Sequence, residues 1–73
     1  MSKENLYNVA VRYVEIIEEM ERTRNRDQRD ILEKARVIWY HKLLDIFKRE
    51  SIPYLDRANV TRLAYLIAKR DPK

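Results

Sequence analysis

Residues 27–50, DQRDILEKARVIWYHKLLDIFKRE, run on without a proline or a glycine. Nothing in that stretch opposes a helix, and at about 1.5 Å per residue it makes a rod roughly 36 Å long. At about 100° per residue, Leu32, Ala35, Trp39, Leu43 and Ile46 fall into one sector, flanked by Ile31 and Ile38 on one side and Tyr40 and Phe47 on the other. A second stripe, Val37, Tyr40, Leu44 and Phe47, lies further round the same rod. One neighbour cannot cover both stripes. Either two helices of the same chain take one each, or Val37, Tyr40, Leu44 and Phe47 form an interface with a partner.

Two shorter helices are expected on either side. Leu6, Val9, Ala10, Tyr13, Ile16, Ile17 and Met20 recur at helical spacing and predict a helix over residues 3–22, capped by Ser2, with Tyr7, Val11 and Val14 as a partial second stripe. Residues 21–30, ERTRNRDQRD, then contain no apolar side chain. A helix there has no face to bury, so the chain turns, with Asn25 or Asp27 capping the helix that follows. No proline or glycine enforces that turn, so a continuous helix of about 45 residues is the competing arrangement, disfavoured by its unusual length. Pro53 stops the long helix, and Ile52, Tyr54 and Leu55 are expected to plug the end of the core. Asp56 caps a third helix over residues 57–70, with Val60, Leu63, Leu66 and Ile67 inward and Asp71-Pro72 closing it. The expected fold is all-α: a single domain over residues 1–73, built as a small three-helix bundle with a long central helix. The alternatives are a long helical hairpin, or one continuous helix plus a short third.

Chemistry is hard to assemble from these residues. One His, no Cys, four hydroxyl residues apart from tyrosines and no Gly-rich loop leave no nucleophile, metal cluster or phosphate-wrapping loop, so neither an enzyme, a cofactor nor a small-molecule substrate is expected. His41 lies on the polar side of the long helix, with Val37 and Ile38 where a second metal ligand would be needed, and reads as a surface residue. A helix-turn-helix is not indicated, because the 50–56 connection is too long and lacks glycine.

Charge points elsewhere. Sixteen Lys and Arg face twelve Asp and Glu, a net +4 that is unevenly placed: residues 1–20 carry two basic and four acidic groups, residues 51–73 five and two. Ala58, Arg62, Tyr65, Lys69 and, where the helix or its extension reaches that far, Lys73 share one side of the third helix and set a ring among cations, as suits phosphates and stacked bases. Arg22, Arg24, Arg26 and Arg29 form a second basic group in the turn. In an up-down-up bundle the turn and the end of the third helix point the same way, so the two groups reinforce each other.

A chain this short buries only about 60 per cent of its unfolded surface, and association would supply what is missing. The reading is a non-catalytic basic helical binding protein, an accessory subunit or regulator in DNA or RNA transactions that contacts both a protein partner and nucleic acid. The alternative is a pure protein-protein interaction module, as a homodimer or docked on a larger enzyme. MSKENLY has no signal-peptide core and residues 63–68 are too few to span a bilayer, so the expected setting is cytoplasmic, away from membranes. Absence of Gly and Cys with 38% charged residues resembles the composition of proteins from hot environments.

Overall fold

The structure, a computed structural model, describes residues 5–69. Three helices, α1 (Leu6–Arg22), α2 (Arg26–Arg49) and α3 (Arg57–Ala68), pack as a small all-α bundle. Each start is set by a side-chain cap. Asn5 Oδ1 accepts from the Asn8 N–H at 2.8 Å, Asn25 Oδ1 from the Gln28 N–H at 3.0 Å, and Asp56 Oδ1 from the Asn59 N–H at 2.9 Å. Two of these caps are the expected ones. For α1 the cap is Asn5, so the described helix starts at Leu6, while Ser2 lies outside the described residues, as do Asp71 and Pro72.

The polar stretch does break the chain. α1 ends at Arg22, Thr23 turns extended and donates its hydroxyl to the Glu19 carbonyl at 2.7 Å, and α2 opens at Arg26. The continuous long helix is therefore excluded. At its other end α2 closes before Pro53 is reached. Ser51 takes a left-handed φ of 59°, its N–H donates to the Lys48 carbonyl at 3.3 Å, and the Ile52 N–H reaches the Phe47 carbonyl at 2.8 Å. That pairing is a Schellman closure, with a serine in the place that glycine usually takes.

The middle layer is α1, where the sequence had suggested α2. α1 packs on both other helices, whereas α2 and α3 hardly touch. It supplies five of the ten buried hydrophobic residues: Val9, Ala10, Tyr13, Val14 and Ile16. Val9, Ala10 and Val14 are small enough to let a neighbour approach on each side, and Val14 belongs to the stripe taken as secondary in the sequence. α2 buries Leu43, Ile46 and Phe47, all in its last two turns, and α3 buries Val60 and Ala64.

Several expected core positions sit elsewhere. Trp39 is only half-buried, with the Lys42 Nζ 4.6 Å from its ring centroid. Ile31 and Ile38 are exposed, because α2 packs closely on α1 alone and the side that bears them faces away from it. Leu66 points outward while Ala64 takes the inward place, and Leu55 is 88% exposed, leaving Ile52 and Tyr54 to close the core. No described helix is long and apolar enough to cross a membrane.

Candidate functional site

Of the expected partner stripe, Phe47 is wholly buried, its ring 5.8 Å from that of Tyr54, so it offers no surface to another protein. The chain's own connection and helices cover it. Tyr40 is half-buried with its ring 6.1 Å from that of Tyr13, Leu44 is half-buried against the core, and Val37 stays exposed. The apolar side chains left most open on α2 are Ile31 and Ile38, two turns apart.

The expected basic stripe on α3 is partly spent within the chain. Lys69 Nζ pairs with Glu18 Oε2 at 3.3 Å, and Tyr65 is half-buried against the core. Burial first, and then the carboxylates of Glu21 and Glu18, push the Tyr65 phenol above its ordinary pKa. Arg62 remains exposed, and Lys73 lies outside the described residues. This face therefore presents less free positive charge than its composition suggests.

Charge gathers instead where α1, α2 and the start of α3 meet. Antiparallel packing sets Met20 beside Arg29 and Glu33, and Tyr13 beside Arg36. α3 then crosses α1 so that the Tyr13 hydroxyl and Thr61 Oγ1 are 2.9 Å apart, which brings Arg57 to the rim. The result is a cleft of about 300 Å³ holding Arg29, Arg36 and Arg57 with Glu21 and Glu33. A second cleft adjoins it, sharing Met20, Arg29 and Glu33 and adding Arg24, Arg26 and Asp30. Arg22 stands outside both, tied to Glu19 at 2.6 Å.

Glu33 is the internal counter-ion of the inner cleft. Arg36 grips it through Nε at 3.2 Å and Nη2 at 2.6 Å, and this hydrogen bonding, with the fields of Arg36, Arg57 and Arg29, holds its carboxyl below the usual range. Arg36 in turn is kept firmly protonated, first by Glu33 and also by Tyr13, against a cost from burial. Two of five guanidinium N–H groups on Arg36 serve Glu33, and the guanidinium groups of Arg29 and Arg57 make no hydrogen bond among the described residues. Such a cluster has the hydrogen-bond donors and the charge to hold an anion.

Arg24, Arg26 and Arg29 from the expected turn group belong to this site, while Arg36, Arg57, Glu33, Tyr13 and Thr61 were not legible as members. Arg36 carried a faint signal, since it falls seven residues after Arg29 on the side of α2 that bears Leu43 and Phe47. Arg57 carried none, because its place depends on where α3 crosses α1. Among the described residues no group of three or more His, Cys, Asp or Glu is arranged to hold a metal ion. Compared with known proteins, the chain matches no family model, no curated protein and no solved structure.

Proposed function

We propose that this chain is a non-catalytic binding protein that contacts the backbone of a nucleic acid through the arginine-lined junction of its helices, and a protein partner through the uncovered side of α2, as an accessory subunit or regulator in DNA or RNA transactions. One observation carries the reading. Five arginines from α2, the turn before it and α3 converge on two adjoining clefts, and guanidinium groups are the side chains best matched to phosphate oxygens.

Anisotropy titrations of labelled single- and double-stranded oligonucleotides test this. With about four to six phosphate contacts, log affinity falls with log salt at a slope of roughly −3 to −4 for a single strand and −4 to −5 for a duplex. No binding to either at low salt would defeat the nucleic-acid part.

A second reading, a protein-interaction module without nucleic acid, draws on the exposure of Ile31 (63%) and Ile38 (56%) along one side of α2. It predicts complex formation that is insensitive to salt and broken by Ile38→Glu.

A further inference from the structure

The two clefts share a wall and differ in what fills them. In the inner one, three guanidinium groups (Arg29, Arg36, Arg57) face two carboxylates (Glu21, Glu33), which leaves 3 − 2 = 1 positive charge. The outer one adds two guanidinium groups (Arg24, Arg26) and one carboxylate (Asp30), which again leaves 2 − 1 = 1. Between them stand Arg29 and Glu33, common to both.

We infer that the paired clefts hold two neighbouring phosphodiesters of one nucleic-acid strand, one in each cleft, with Glu33 acting as an internal competitor for the inner position. The inference rests on the nucleic-acid reading above and specifies its site. A phosphodiester carries one negative charge, which matches the single surplus charge of each cleft. A terminal phosphomonoester carries up to two and would leave the inner cleft overfilled.

The two exposed arginines of the inner cleft, Arg29 and Arg57, come from different helices and are held by no ion pair among the described residues, so they are free to turn onto a phosphate. Arg36 is different. Only 12% of its side chain is exposed and its guanidinium is locked by two bonds to Glu33, which makes it a fixed wall of the site. The Glu33 side chain is 47% exposed, and its charge repels a phosphate entering between Arg29 and Arg57. It therefore weakens binding and leaves the site open to exchange.

The test uses the full chain and a labelled single-stranded oligonucleotide about a dozen nucleotides long, with either a 5′-hydroxyl or a 5′-phosphate. Arg57→Gln is expected to weaken binding about tenfold and to reduce the salt slope by about 0.7, the loss of one phosphate contact on a single strand. Glu33→Gln is expected to tighten binding several-fold, with thermal melts confirming that both variants fold. The two oligonucleotides are expected to bind alike.

If Arg57→Gln binds as well as the native chain while Arg24→Gln with Arg26→Gln loses affinity, the strand passes only over the turn; the two-cleft site is overturned and the wider reading stands. A strong preference for the 5′-phosphate would overturn the phosphodiester assignment. Weaker or unchanged binding by Glu33→Gln would overturn its role as competitor. If the native chain ignores both oligonucleotides, the wider reading falls too.

Discussion

Arg36 and Glu33, three residues apart on α2, are joined by two hydrogen bonds even though one is nearly covered and the other half in water. Their spacing is the ordinary (i, i+3) contact of a helix surface. What sets them apart is the neighbourhood: Tyr13 of α1 and Arg57 of α3 line the same cleft. An ion pair that would be ordinary on an isolated helix thus becomes the floor of a cleft.

That pair gives a pH signature. The Glu33 carboxyl lies below its ordinary pKa, chiefly through its bonds to Arg36, so the folded state holds its proton less tightly than the unfolded chain does. The stabilisation is present above the unfolded value of about 4.3 and is lost as pH falls through the lower, folded value. Because almost half of the Glu33 side chain is in water, screening limits it to about 1 kcal/mol or less. Thermal melts of the native chain and Glu33→Gln between pH 2 and 7 should differ at neutrality and converge in acid. A difference that persists below pH 3 would show that the carboxylate charge is not what matters.

Ser51 offers a second measurement. A residue with a Cβ pays about 1 to 2 kcal/mol in the left-handed region, and at φ 59° Ser51 sits in it. Glycine removes that strain but loses more entropy on folding, about 0.5 to 1 kcal/mol. Ser51→Gly should therefore stabilise the protein by about 0.5 to 1 kcal/mol, and Ser51→Val should destabilise it. Urea unfolding of the three proteins decides the order, and an unstable glycine variant would mean that Schellman closure is not limited by backbone strain.

Burial separates two aromatic residues that sequence alone ranks the other way. Phe47 is fully buried in the core with its ring beside that of Tyr54, whereas Trp39 is half-buried under a lysine. Phe47→Ala should cost about 3 to 5 kcal/mol, as much as a domain of this size has in hand, and leave the chain unfolded. Trp39→Ala should cost less and still give a cooperative melt. Circular dichroism of the two variants checks this; the reverse order would place the core around Trp39.

The number of helices, two of the three caps and the position of the polar turn were all legible in the chain, because each depends on residues within four positions of one another. Apolar spacing sets a helix, an Asn or Asp side chain reaches the N–H three residues on, and a stretch with nothing to bury cannot stay in a bundle. The Schellman stop at Ser51 was not legible, since it lacks the glycine that announces one.

Which helix lies in the middle was decided only in three dimensions. α1 and α2 both carry more apolar surface than one neighbour needs, and periodicity cannot say which of them will be covered on two sides. Packing chose α1, whose small residues admit close neighbours, and that choice buried Phe47 while leaving Ile31 and Ile38 in water. The same crossing of α3 over α1 carried Arg57 to Arg29 and Arg36, residues 28 and 21 positions earlier in the chain (57 − 29 and 57 − 36). Apolar spacing and composition alone make the protein helical and basic. Where the positive charge gathers was settled by tertiary packing, because charges far apart in the chain meet only when the helices that carry them are brought together.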